Sequence, residues 1–158
     1  MKLRTVLPML AVATFALAAC ASKVDYAKFH EKAVAAAKEA KEQVFEKVTF
    51  DGWYKNEDGK KEEIGKVEIK FNKGVFVNKT SLLSDAELAG KEMGVAFMLN
   101  ALTAENIGED DDFTYYAGST FKVEIKDEDG KSTAQFNKYG LLTSMTGEDG
   151  KYTVKYSK

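Results

Sequence analysis

Cysteine, histidine, proline and tryptophan each occur only once in this chain of 158 residues. A single cysteine, Cys20, cannot close an intrachain disulfide or build a cysteine-rich metal centre. The single histidine, His30, is the only base a Ser-His-Asp arrangement could use. It sits in a stretch of Ala, Lys and Glu and reads as a plain helical histidine. No glycine-rich phosphate loop followed by Lys-Ser or Lys-Thr is present. Past residue 19 no apolar run approaches the roughly 20 residues that a membrane-spanning helix requires. Carboxylates are abundant, so no one pair of them stands out as an acid and a base. This inventory predicts a protein that is not an enzyme and holds no cofactor or metal.

What is present begins at the N-terminus. Lys2 and Arg4 give a short positive start, and residues 6–19 are uncharged and mostly apolar. That stretch suits the central region of a secretory signal. It ends Leu17-Ala18-Ala19-Cys20, which resembles the lipobox of bacterial lipoproteins. The resemblance covers residues 1–20. It implies cleavage before Cys20, a diacylglycerol on the Cys20 thiol and acylation of the new amine. The membrane is then a partner through lipid on Cys20, and two or three acyl chains hold firmly at about 0.8 kcal/mol per buried methylene. Ala21 stands where an Asp commonly retains such proteins in the inner membrane. The expected address is therefore the cell envelope, and the outer membrane in a Gram-negative cell.

Residues 20–158 are the size of one domain. Without Lys2 and Arg4 they hold 21 basic and 25 acidic side chains. So mild an acidic excess argues against nucleic acid and against an electrostatic grip on anionic lipid.

After a tether at residues 21–24, a helix is predicted from Asp25 to about Lys47, with Tyr26, Phe29, Ala33, Ala37, Ala40 and Val44 at three- and four-residue spacing. The period then becomes two. Val48, Phe50 and Tyr54 alternate with polar residues, as do Val67, Ile69 and Phe71, and residues 75–77 continue as a short strand. Ser84 and Glu87 form a capping box ahead of a second helix, with Leu88, Val95, Leu99 and Leu102 as its stripe and Phe97 and Met98 widening it. Gly90 and Gly94 suggest a close approach to another backbone, and a helix so apolar should be buried on more than one side. An acidic loop at 109–112 leads into strands at 113–116, 121–126, 133–136, 141–145 and 152–156. Asp-Gly pairs at 58–59, 129–130 and 149–150 mark tight turns through the positive φ that glycine allows.

The halves 24–80 and 84–158 look alike. Thr49-Phe50 precedes Glu57-Asp58-Gly59-Lys60 by the same spacing that separates Thr120-Phe121 from Glu128-Asp129-Gly130-Lys131. Phe71-Asn72-Lys73-Gly74 echoes Phe136-Asn137-Lys138-Tyr139-Gly140. A third copy of the turn, residues 148–151, fits recurrent hairpins as well as a duplication does. The fold expected is α+β, two helices packed on an antiparallel sheet of seven or eight strands, with a tandem repeat as one way to build it. That order resembles the tandem helix-plus-sheet domains of the bacterial envelope, PepSY-type domains and the beta-lactamase inhibitor protein among them. It is also similar to the half-barrel carriers of lipids and lipoproteins. Element order alone implies no activity.

The aromatics are the candidate binding residues. Trp53 breaks the alternation of Val48, Phe50 and Tyr54 and should face the opposite side of the sheet. Tyr115 and Tyr116 are adjacent, so one of them should do the same. If that face is open, they are anchors for a partner. Asp127-Glu128-Asp129-Gly130 resembles the start of a calcium loop but lacks the closing Glu, and a turn is the expected reading. The function expected is a non-catalytic, lipid-anchored envelope protein that binds a macromolecular partner. The alternative is a carrier of a lipid or other hydrophobic ligand, with the apolar residues of the helix at 84–102 and Phe71, Phe76, Phe121 and Phe136 lining a cavity instead of filling a core.

Overall fold

A computed structural model describes residues 21–40, 45–70 and 91–157. Residues 1–20, the capping box Ser84/Glu87, Gly90, Phe71, Phe76 and the expected strand at 75–77 lie outside them.

Residues 21–24 are not a tether. They form β1, Ala21–Val24, whose residues pair with β5, Phe113–Gly118, from Ala21 opposite Gly118 to Val24 opposite Tyr115. The chain turns straight into α1, Tyr26–Ala40, where Asp25 Oδ1 accepts the Lys28 N–H at 2.8 Å and caps the first turn. The buried face of α1 is Phe29, Ala33, Ala36 and Ala40. Three of the four are alanines, so the helix lies close over β5. Phe29 is its one large anchor, fully buried with its ring 5.2 Å from Tyr115 and edge-on to Phe121 at 5.7 Å. Burial of that side chain is worth roughly 3 kcal/mol. The helix is described to Ala40 and has given way by Phe45, because Phe45 is needed in the core and Lys47 opens a strand.

The described strands build one antiparallel sheet of nine. In chain order after β1 they are β2 (Lys47–Lys55), β3 (Lys61–Glu63), β4 (Val67–Lys70), β5, β6 (Phe121–Asp127), β7 (Gly130–Phe136), β8 (Leu142–Gly147) and β9 (Gly150–Ser157). Their order across the sheet is β1-β5-β6-β7-β8-β9-β2-β3, with β4 also on β2. β3 and β4 pair with opposite ends of β2 and act as one interrupted edge strand. The Ile64 N–H reaches the Gly52 carbonyl at 2.9 Å between them. Both edges are short, and the β3 edge is all charged, which discourages pairing with another chain.

Period-two patterning divides the sheet cleanly. Val48 and Phe50 of β2, Val67 and Ile69 of β4, Tyr115 and Ala117 of β5, Phe121 and Val123 of β6, Ala134 and Phe136 of β7, Leu142 of β8 and Val154 of β9 are buried on one face in a single core cluster. α2, Lys91–Ala101, adds Val95, Ala96 and Leu99 to that cluster and packs over β4. Among the described residues it is buried on one side only: Phe97 is 56 % exposed. The close approach expected at Gly94 is also absent, since a Cβ there would meet no described atom within 4 Å.

The repeated turns do not share a geometry. In the first, Asn56 Oδ1 accepts the N–H groups of Asp58 and Lys60, both at 3.0 Å, and Gly59 takes φ 74°. Its true counterpart is residues 137–141, where Asn137 Oδ1 accepts from Tyr139 at 3.0 Å and Leu141 at 3.1 Å and Gly140 takes φ 75°. The Glu-Asp-Gly-Lys copies at 128–131 and 148–151 are instead two-residue loops, closed by the pairs Asp127/Gly130 and Gly147/Gly150. Gly130 has positive φ, whereas Gly150 does not.

Candidate functional site

The sheet has two unlike ends. The turns β2–β3, β6–β7 and β8–β9 and the loop that enters β5 all lie at one end, because Tyr54 pairs with Gly150, Gly147 with Gly150, Asp127 with Gly130 and Phe113 with Ile125. These four segments bring eleven carboxylates together: Glu57 and Asp58, residues 109–112, residues 127–129, and Glu148 with Asp149. Ala21, one residue after Cys20, pairs with Gly118 at the opposite end.

At the acidic end a cleft of about 310 Å³ opens between the β6–β7 and β8–β9 hairpins. Ser132, Met145 and Tyr152 line its floor on the helix-bearing side of the sheet, and Asp127, Asp129, Lys131, Glu148 and Asp149 stand around it. The Tyr152 ring stacks on Phe50 with centroids 5.6 Å apart, and it lies across Gly52, its cross-strand partner. A Cβ on Gly52 would come within 2.6 Å of Tyr152 Cδ1 and 2.5 Å of the Lys151 carbonyl. Glycine at this position lets the ring lie flat. Beside the cleft, Tyr54 donates its hydroxyl to Glu62 Oε2 at 2.6 Å and Asn56 Nδ2 donates to Glu62 Oε1 at 2.7 Å. These hydrogen bonds hold the Glu62 carboxyl below its usual range, and the same contact raises the Tyr54 phenol. The aromatic face, the thioether and the carboxylates that line the cleft suit a cationic side chain with an apolar stem.

The three aromatics singled out from sequence do not form one patch. Tyr115 faces the core, 5 % exposed, and burial pushes its phenol up. Its hydroxyl donates to the Gly108 carbonyl at 2.7 Å and accepts the Asp110 N–H at 3.0 Å, so it anchors the acidic loop from beneath. Tyr116 is the one that points outward. Lys122 Nζ sits 4.1 Å from its ring centroid, and burial together with Glu124 raises its phenol. Trp53 also faces outward, with Lys61 Nζ 5.0 Å from its ring. Five strand steps separate β5 from β2, about 24 Å along the sheet.

Between Trp53 and Tyr116 the outer face is polar and carries no helix among the described elements. Its strand positions hold ten lysines: Lys23 on β1, Lys47 and Lys55 on β2, Lys61 on β3, Lys70 on β4, Lys122 and Lys126 on β6, Lys131 on β7, and Lys151 and Lys155 on β9. Four carboxylates share that face, namely Asp51, Glu63, Glu68 and Glu124. Lys47, Lys61, Lys122 and Lys131 make ion pairs with three of them. Among the described residues Lys23, Lys126, Lys151 and Lys155 make none. Sequence reasoning missed this face because it summed charge over the whole chain. The signal was there in lysines at i and i+4 along strands, Lys122/Lys126 and Lys151/Lys155.

His30 stacks on Tyr26 at 5.6 Å over the β5 end, far from the cleft in the strand order. Asp127 turns its carboxylate inward to the Asp129 N–H at 3.0 Å, the geometry of a turn. Among the described residues no group of three His, Cys, Asp or Glu is placed to hold a metal ion, and no helix is long and apolar enough to cross a membrane. No family model, curated protein or solved structure matches the chain. Function is therefore read from its own residues.

Proposed function

We propose that this chain is a non-catalytic, lipid-anchored cell-envelope protein that holds a basic segment of a macromolecular partner in the cleft above Tyr152. The observation that carries this reading is the placement of the segment after Cys20 and the cleft at opposite ends of one sheet. Lipid on Cys20 would hold one end at a membrane and leave the cleft, at the other end and on the helix side of the sheet, open to a partner. A rim of carboxylates around an aromatic floor favours Lys or Arg from a partner and steers it electrostatically. A carrier would need Phe121 and Phe136 to border empty space. They are 3 % and 2 % exposed, and Phe121 packs in a T-shaped contact with Phe29, which favours the partner-binding reading.

The test is photo-crosslinking in the host envelope. A photoreactive residue replaces Asp129 at the cleft or Lys138 at the far end of the sheet. A discrete protein adduct is expected from position 129 and none from 138, and Glu148→Lys should remove it. Native mass spectrometry of the same protein gives the other arm. An apolar mass that leaves on denaturation, with no adduct at 129, would overturn the binding reading and put the carrier in its place.

A further inference from the structure

We propose that the lysine-bearing outer face of the sheet lies on the anionic headgroup surface of the same membrane that holds the acylated Cys20. This rests on the lipid-anchor reading for its occupant. Ten lysines against four carboxylates on one face is a local excess of six positive charges, in a chain whose formal net charge is −2. A merely solvated face of this chain should mix signs, since basic and acidic residues are nearly equal in number. They are sorted instead. Eleven carboxylates collect at the hairpin end and ten lysines on the outer face, and the two groups meet where Lys55 Nζ lies 3.9 Å from Asp149 Oδ1. Net charge alone argued against a grip on anionic lipid, and the sorting by face reverses that expectation.

The second observation is the absence of a spacer. Ala21 is already paired with Gly118, and one residue of chain reaches only about 3.6 Å. An acylated Cys20 therefore holds the β1 edge at the headgroups, where the Debye length of about 8 Å leaves near-surface lysines unscreened. Lys23, on β1 itself, stands on the outer face beside Tyr116. With that face down, the cleft over Tyr152, which opens on the helix side, faces away from the membrane and stays accessible. Trp53 and Tyr116 lie on the down-facing side, and aromatic rings of this kind settle at the headgroup level.

Trp53 is the only tryptophan, so its emission reports this contact directly. The full acylated chain is reconstituted into vesicles of phosphatidylcholine, or of phosphatidylcholine with one-third phosphatidylglycerol, each with and without bromine-labelled acyl chains. In anionic vesicles Trp53 is expected to shift to the blue and to be quenched by bromine. In zwitterionic vesicles, and in anionic vesicles at about 1 M salt where screening falls to roughly 3 Å, neither change should occur. In parallel, sedimentation with anionic vesicles follows the mature chain carrying Cys20→Ser. Each lysine at such a surface adds about fivefold to partitioning, so Lys151→Glu with Lys155→Glu should lower it at least about 25-fold. The same charge change on α1, Lys28→Glu with Lys38→Glu, should leave it within a fewfold. Equal losses from both pairs, or one Trp53 spectrum in both vesicles, overturn the proposal. Retention on heparin or duplex DNA without any preference for anionic vesicles also overturns it and gives the face to another polyanion. Failure of the anchor reading is distinguishable, because mass spectrometry would then find Cys20 without acyl chains while the sedimentation arm still reports on the face.

Discussion

The Tyr115 hydroxyl, rising from the core, holds the Gly108 carbonyl at 2.7 Å and ties the acidic loop 109–112 to the sheet. It also accepts the Asp110 N–H, so one side chain satisfies two backbone groups of a loop otherwise exposed to water. Tyr115→Phe should keep the ring packing on Phe29 and lose both bonds. The expected loss is about 1–2 kcal/mol in urea unfolding. Amide exchange at Asp110 should quicken more than exchange at Val123, whereas equal change at both would mean that the ring itself had shifted.

Gly52 is bound to Tyr152 by lack of space. Gly52→Ala places a Cβ against the ring and against the Lys151 carbonyl, and the backbone of β9 cannot retreat without breaking its ladder to β2. A loss of about 1–3 kcal/mol is expected from the forced shift. Tyr152→Ala in the same background should recover part of it, because the ring is one of the two obstructions. A double-mutant cycle from urea titrations measures that coupling, and strict additivity would show that the carbonyl alone decides the cost.

The paired turns at Asn56 and Asn137 offer a comparison inside one molecule. Each asparagine accepts two backbone N–H groups. The first turn is exposed, and the second packs on Ala104, whose N–H donates to the Gly140 carbonyl at 2.9 Å. Asn137→Ala should cost about 1–2 kcal/mol and Asn56→Ala less, because water replaces the lost bonds at the exposed turn. Gly140→Ala should add left-handed strain of about 1–2 kcal/mol and crowd the Ala104 Cβ, which lies 3.3 Å from the new atom. Thermal unfolding of the three variants ranks them.

Burial raises the Tyr156 phenol above its ordinary value, and its hydroxyl donates to the Leu142 carbonyl at 2.9 Å. The folded chain therefore keeps a proton that the unfolded chain releases near pH 10. The stability so conferred is complete below pH 10 and declines as pH climbs above it toward the folded value. Tyr156→Phe should flatten that decline and cost about 1 kcal/mol at neutral pH through the lost bond. Chemical denaturation at pH 7, 9.5 and 11 checks both, and an unchanged alkaline slope would assign the decline to other tyrosines.

Much of this fold was legible because its signals are local. The alternation Phe121, Val123, Ile125 gives β6, Val67 and Ile69 give β4, and the alanine-rich stripe with Phe29 gives α1. What could not be read depends on distant partners. Ala21-Ser22-Lys23-Val24 has no strong period of its own and becomes a strand because β5 offers it an edge. Lys61-Glu62-Glu63 is as polar as a loop, yet it is extended because the turn at Asn56 returns it to β2. At the candidate site, the outward aim of Trp53 and of one of the two adjacent tyrosines followed from parity. Their separation did not, since strand order across the sheet is invisible to parity. The cleft needed two hairpins to meet, and nothing near Tyr152 in sequence announces Ser132 as its neighbour.

The position of the last strand has a consequence for the timing of folding. β9, Gly150–Ser157, lies between β8 and β2 and is the only described link between the first strands of the chain and the later ones on that side. β1 likewise waits for β5. β1 and the β9-facing edge of β2 thus find their partners late, across long stretches of sequence, although β2 pairs early with β3 and β4; the late pairings slow folding through the entropy of closing large loops. The sheet cannot be completed until the final residues are available. A chain that leaves the ribosome N-terminus first would hold only local pairings such as β2 with β3 and β4 through most of its synthesis, with β1 and one edge of β2 open until β5 and β9 arrive.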